Sequence, residues 1–235
     1  MDKTRNTEQG RLQYILFDLD GTLTDPKEGI TRSVQYTLRH YGIEEENLDR
    51  LTPFIGPPLT DSFERYYGFD AKRAREAVYV YREYFDARGW RENRVYPGIP
   101  ALLGHLKEAG LTLMTASSKP ETAVRRIMDH FALSSYFTFI GGADDDGERC
   151  RKADVIRYVL AESGMGSEAH TLAKTVMVGD REHDVYGARA CGIPCAAVLY
   201  GYGSREEMDA CRPRWRAATV AELEALLLGM REEQP

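Results

Sequence analysis

Long apolar runs are missing from this sequence, and with them the class of helical membrane proteins. No stretch approaches the ~20 consecutive apolar residues that a spanning helix needs. Excess positive charge is missing as well. Lys and Arg number 31 against 37 Asp and Glu, a net charge of −6, which argues against a nucleic-acid polymer or an anionic membrane as partner. Cysteine is scarce. Cys150, Cys191, Cys195 and Cys211 fit no zinc spacing. The polar opening MDKTRNTEQG has no hydrophobic centre and so does not read as a secretory leader. A disulfide framework is therefore not expected, and the reading is of a cytoplasmic chain with four free thiols and a flexible N-terminus over residues 1–10.

What is present is a globular composition, 43% hydrophobic and 29% charged, in a chain long enough for a full core. Five short apolar runs predict buried strands: Tyr14–Phe17, Leu111–Met114, Phe137–Ile140, Thr175–Val178 and Cys195–Leu199. Helical patterns at Ile99–Ala109, Pro120–Phe131, Lys152–Leu160 and Val185–Ala190 alternate with the last four, and Val220–Leu228 closes the chain. This alternation predicts an α/β fold, a Rossmann-like parallel sheet with helices on both faces.

Between the first two strands the rhythm breaks. From Pro26 to Pro97 the pattern is helical, at Glu28–Tyr41, Asp61–Tyr67 and Ala71–Arg88, with no strand, and FIGPPL (Phe54–Leu59) suits neither element. The expected organisation is a catalytic core from residues 11–25 and 97–235, with an inserted all-helical cap over residues 26–96.

The polar residues that follow the strands carry the functional question, because open α/β sheets bind ligands beyond their carboxyl ends. The first strand runs into Asp18 and Asp20, the second into Ser117, Ser118 and Lys119. The third leads through GGADDDGER to Lys152, and the fourth ends at Gly179 and Asp180 with Asp184 shortly after. Alternation puts Asp18 and Asp20 on one side of the backbone, where two carboxylates repel unless something positive joins them. Several carboxylates and a lysine at one edge suit a hard divalent cation, Mg²⁺, together with a phosphoryl group.

DLDGT (Asp18–Thr22), Ser117, Lys152 and GDREHD (Gly179–Asp184), in this order and strand context, resemble the four motifs of the haloacid dehalogenase superfamily. The position of the insertion is similar to that in the branch with a helical cap. DGTLTDPKEGI, FIGPPL, YPGIP, SSKP and GDREHDVYGA resemble the phosphoglycolate phosphatase and 5′-nucleotidase-like group. The resemblance implies Asp18 as a nucleophile that becomes an aspartyl phosphate, and Asp20 as the acid and then the base. It implies Ser117 and Lys152 as partners of the phosphoryl oxygens. Asp18, the Asp20 carbonyl and Asp180 would hold Mg²⁺, with Asp184 orienting from behind. Ser117 stands where the family often has Thr, and the hydroxyl is kept. Gly21, Ser118, Lys119 and, from the FIGPPL loop, Ile55 and Pro57 are the expected substrate contacts.

Plainer readings exist for single residues. Asp184 alone would be a helix cap, Asp144, Asp145 and Asp146 a polar loop, and Tyr66, Tyr67, Tyr79, Tyr81 and Tyr84 packing between cap helices. They do not account for the motifs together. Asp20 argues against a dehalogenase, and no GxxxxGK loop or kinase motif set is present. The expected function is a Mg²⁺-dependent phosphomonoester phosphatase, monomer or homodimer, acting on a small phosphorylated metabolite such as a nucleoside 5′-monophosphate or phosphoglycolate. A phosphomutase or pyrophosphatase on the same core, and a non-catalytic interaction module, are the alternatives.

Overall fold

The computed structural model describes residues 11–146, 148–166 and 168–232. The N-terminal segment expected to be flexible lies outside the described residues. In chain order the elements are β1 (Tyr14–Phe17), β2 (Thr24–Asp25), α1 (Lys27–His40), α2 (Leu59–Tyr67), α3 (Ala71–Tyr84), β3 (Arg94–Val95), α4 (Ile99–Glu108) and β4 (Thr112–Pro120). They continue as α5 (Glu121–His130), β5 (Phe139–Ala143), α6 (Lys152–Glu162), α7 (Ala169–Leu172), β6 (Thr175–Gly179) and α8 (Glu182–Ala190). The chain then forms β7 (Cys195–Val198), α9 (Arg205–Cys211), β8 (Trp215–Ala217) and α10 (Val220–Glu232).

Six strands form one parallel sheet in the order β5-β4-β1-β6-β7-β8. Its strands are apolar at successive positions because both faces are covered. Ile15, Phe17, Leu113, Val176 and Val178 join the hydrophobic cluster on one face. Leu16, Met114, Met177 and Cys195 join the cluster on the other. From β1 the chain steps to β4 and β5 on one side, then returns to β6 on the other, so β1 lies at the topological switch. Phe17 pairs with Thr115 and with Val178. This register brings Asp18, Ala116 and Gly179 side by side, one residue beyond the last pairs.

The insertion is helical as expected. A 3₁₀ segment, Leu48–Phe54, precedes α2, and a single π-helical turn, Phe85–Gly89, follows α3. Asp70 caps α3 by accepting the Arg73 N–H at 2.8 Å. Phe54, Phe63 and Phe69 pack ring against ring inside it, and Tyr67 joins them. Helix α1 meets the π turn where two glycines cross. A Cβ on Gly29 would overlap the Gly89 carbonyl, and one on Gly89 would stand 2.8 Å from Ser33 Oγ.

Several expectations need correction. The main sheet has a sixth strand, β8, whose three residues are too few to show a pattern. Arg94–Val95 is extended despite the all-helical reading of that stretch, because it pairs antiparallel with Thr24–Asp25. Strand β4 continues through the polar SSKP, whose partners are the backbone of Gly142 and Ala143 in β5. Helix α9 was not expected at all; Ser204 starts it by accepting the Glu207 N–H. All four cysteines are free. No helix among the described residues is long and apolar enough to cross a membrane.

The glycine crossing gives a test. Gly29→Ala should destabilise the protein by ~1–3 kcal/mol, the usual cost of overpacking, because the atom it strikes is backbone and cannot rotate away. Urea denaturation would measure this, and an unchanged midpoint would show that α1 and the π turn can separate freely.

Candidate active site

Four elements deliver the polar cluster, at the end of β1, within the polar half of β4, at the start of α6 and just beyond β6. Beyond β1 the chain turns sharply, with Leu23 and Thr24 N–H both donating to the Leu19 carbonyl. Gly21 sits in that turn at φ +83°. A side chain there would be strained, and its Cβ would overlap the Asp180 carboxylate. The turn leaves Asp18 and Asp20 buried, at 4% and 6% exposure.

Lys152, the first residue of α6, is buried beside them. Its Nζ lies 2.8 Å from Asp18 Oδ1 and 2.9 Å from Asp184 Oδ1, and donates to the Ala116 carbonyl at 2.9 Å. The ammonium thus stands among three oxygens, two of them on carboxylates. A lysine at a helix start is disfavoured by the dipole, and these two carboxylates offset that. Burial alone would lower the Lys152 pKa, but Asp18 and Asp184 outweigh it and hold the ammonium charged. Asp184 is not the cap residue itself. It lies in the first turn of α8 and accepts the Arg181 backbone N–H at 3.0 Å.

Asp180 ends β6 with no exposed surface. Its Oδ2 accepts the Tyr202 N–H at 2.7 Å, while Oδ1 has no hydrogen-bond partner among the described residues. Burial raises its carboxyl well above the usual range, and the charges of Asp184 and Asp18 push the same way. Asp18, Asp180 and Asp184 can each offer an oxygen within 4.8 Å of the others. An all-oxygen donor set with an orphaned, charge-crowded carboxylate fits a hard divalent cation.

Lys119, from β4, pairs through its Nζ with Asp20 Oδ2 at 2.7 Å. Burial raises the Asp20 carboxyl, and Lys119 opposes that rise. Ser117 is buried at the β4 end, where its Oγ accepts the Lys119 N–H at 3.3 Å. Ser118 is half-buried between them.

The structure thus gathers Asp18, Asp20, Ser117, Lys119, Lys152, Asp180 and Asp184 at one sheet edge. Gly21 serves by leaving room for Asp180. Pro57 is half-buried in the loop before α2. Ile55 needs correction: it was expected to contact substrate. That side chain is fully buried in the hydrophobic core, and its carbonyl faces the core domain instead, accepting Arg181 Nη1 at 2.6 Å. Arg181 was missed from sequence, although it adjoins Asp180. Its Nε pairs with Glu207 at 2.9 Å, and Glu207 also accepts the Glu182 N–H. Phe85 was missed too; its ring lies 4.6 Å from Lys119 Nζ.

A parallel α/β sheet with acids and lysines converging at its switch point is the framework of a phosphoryl-handling hydrolase. Residues 15–198 match the model of the haloacid dehalogenase-like hydrolases, and the chain belongs to that family. It is 49% identical over 217 residues to a 5′-nucleotidase of Pseudomonas aeruginosa, covering 92% of this chain and 96% of that one. It is 41% identical over 217 residues to the tyrosine-protein kinase PtkA of Mycobacterium tuberculosis, covering 92% and 72%. A solved structure of a predicted phosphatase from Clostridium acetobutylicum superposes with a TM-score of 0.90 at 44% identity, covering 94% of this chain and all of that one. Within its family, the chain is a phosphatase.

The Lys152 contacts predict a large stability effect. Lys152→Met leaves Asp18 and Asp184 buried without their cation, and should cost ~3–5 kcal/mol. Guanidinium denaturation of the metal-free protein reads this directly. A loss below about 1 kcal/mol, the scale of an exposed pair, would mean that water reaches and screens the cluster.

Proposed function

We propose that the protein hydrolyses nucleoside 5′-monophosphates through an aspartyl phosphate on Asp18. The observation that carries this reading is the contact of Lys152 with both Asp18 and Asp184 at the switch point, with Asp20 two residues from the nucleophile. The choice of a nucleotide over phosphoglycolate rests on the similarity to the 5′-nucleotidase.

Asp18 attacks phosphorus, forming one P–O bond as the bond to the leaving ester oxygen breaks. Asp20 gives its proton to that oxygen, and the nucleoside leaves as an alcohol. Asp20 then takes a proton from water, the resulting hydroxide attacks phosphorus, and Asp18 is released with inorganic phosphate. General acid–base help of this kind is typically worth ~10²–10⁴-fold. Burial favours the protonated Asp20 that the first step needs, and Lys119 favours the carboxylate that the second needs. Ser117 and Lys152 hold phosphoryl oxygens as charge builds on them. Asp18, Asp180 and the Asp20 carbonyl would hold Mg²⁺, which when bound supplies positive charge to the phosphoryl oxygens. Asp184 keeps Lys152 in place.

The helical insertion, residues 26–96, acts as the cap over this edge, and the core spans residues 11–25 and 97–235. The resemblance to PtkA favours a second reading in which the aspartyl phosphate passes its phosphoryl group to a tyrosine hydroxyl instead of water. The chemistry at Asp18 is then the same and only the acceptor changes.

Phosphate release from a panel of phosphate esters, with Mg²⁺, tests the reading. Nucleoside 5′-monophosphates should turn over fastest, and Asp18→Asn should retain less than about 1% of activity, a loss on the scale of other nucleophile deletions. A 5′-nucleotide rate no higher than that of other esters would overturn the substrate, and an active Asp18→Asn the intermediate. Label from ATP appearing on tyrosine peptides in place of free phosphate would select the second reading.

Metal binding has its own readout. Mg²⁺ should raise the melting temperature of the wild type by relieving repulsion among Asp18, Asp180 and Asp184. Asp180→Asn should melt higher than the metal-free wild type and gain little from Mg²⁺. Equal Mg²⁺ shifts for the two proteins would remove Asp180 from the metal site.

A further inference from the structure

The two buried lysines of the site differ in one respect. The Lys152 ammonium stands within 2.9 Å of three oxygens, on Asp18, Asp184 and Ala116. Among the described residues, the Lys119 ammonium meets one carboxylate oxygen, on Asp20, and an aromatic face. That face belongs to Phe85, which comes from the helical insertion and not from the core. An ammonium ion on the end of a flexible four-carbon stem has many positions available to it, so the ring is what narrows them.

The insertion in turn fixes the ring. Phe85 opens the π-helical turn Phe85–Gly89, with the Trp90 N–H donating to its carbonyl at 3.1 Å. Such turns insert one residue into a helix and re-aim the side chains around them; they are frequent at functional positions. The Phe85 ring stacks on Tyr81 one helical turn earlier, with centroids 5.4 Å apart and planes at 18°. The Gly29–Gly89 crossing locks the turn against α1. Phe85 itself is only 6% exposed. This is more support than a ring that merely covers a groove requires.

We propose that Phe85 is a positioning residue: seated on the core, the insertion uses this ring face to hold the Lys119 ammonium against Asp20. The seated insertion thereby sets the orientation of the carboxyl that serves the leaving oxygen and the water. An insertion lifted away withdraws the ring, and Lys119 is then free to leave Asp20. The role assigned to Asp20 rests on the proposed phosphatase mechanism, whereas the contact among Phe85, Lys119 and Asp20 does not.

Fluorinated phenylalanines placed at position 85 test this, because they drain the ring face of negative potential with little change of shape. From one to three fluorines, kcat for an alkyl phosphate should fall stepwise, by roughly 2–30-fold in all on the scale of a cation–π contact, with KM little changed. An activated aryl phosphate, which needs little protonation of its leaving oxygen, should lose less. In a Lys119→Met background the fluorine series should be flat. A flat series in the wild type, an equal loss for both esters, or the same decline without Lys119 would each overturn the proposal. A measurement independent of turnover is the ring-current shift of the Lys119 ε-methylene protons, which Phe85→Leu should abolish. Its absence from the wild-type spectrum overturns the contact even if no ester is hydrolysed, and its presence with an inactive enzyme would fault the mechanism alone.

Discussion

Electrostatic neutralisation inside the sheet edge is the constraint on which the remaining structure depends. Four carboxylates, Asp18, Asp20, Asp180 and Asp184, are almost without exposure, and isolated buried charges of this kind are too costly to persist. Lys152 and Lys119 divide them, Lys152 meeting Asp18 and Asp184 and Lys119 meeting Asp20. Lys152 can reach Asp18 only because α6 begins beside the β4 end, and it can reach Asp184 only because α8 folds back over β6. The glycines follow from the same crowding. Gly179 lies against Asp184, Gly187 against the Lys152 stem, and Gly201 against Asp180, so that a Cβ at any of them would intrude on the charged cluster.

The two sides of β1 are built for different kinds of work. On the β6 side, Asp180 and Asp184 crowd together and one oxygen of Asp180 has no hydrogen-bond partner among the described residues. This side suits a doubly charged ion. On the β4 side, a single carboxyl is balanced between burial and one lysine, which suits a group that must gain and lose a proton. Asp18, the proposed nucleophile, stands between them, with its backbone N–H donating to the Val178 carbonyl at 2.9 Å.

Legibility in the sequence followed the range of the interactions. Strand β1 could be read to the residue because both its faces are buried and the run stops at acids. The core site residues were legible for a related reason, since each lies where an apolar run gives way to polar residues or in the first turn of a helix. Strand β8 was not, because it is three residues long at the sheet edge and Arg216 interrupts its apolar character. The pairing of Thr24–Asp25 with Arg94–Val95 depends on partners far apart in the chain, and neither half shows a pattern alone. The contacts of Arg181 with Ile55 and of Lys119 with Phe85 are of that kind too. They join the core to the insertion, and no local spacing records them. FIGPPL was read as a substrate loop with Ile55 among its contacts, but the Ile55 side chain completes the core and its backbone carbonyl faces Arg181.

The short ribbon of β2 and β3 has an evolutionary corollary. Thr24 pairs with Val95 and Asp25 with Arg94, and Arg94 and Tyr202 both bind the Asp25 carboxylate. The points where the chain leaves and re-enters the sheet domain are thus adjacent strands, closer together than the ends of a free loop would be. Everything between them could be lengthened, shortened or exchanged for another module while the register of the main sheet and its charged edge stayed unchanged. A lineage can in this way exchange the cassette with no need to rebuild the sheet or its charged edge.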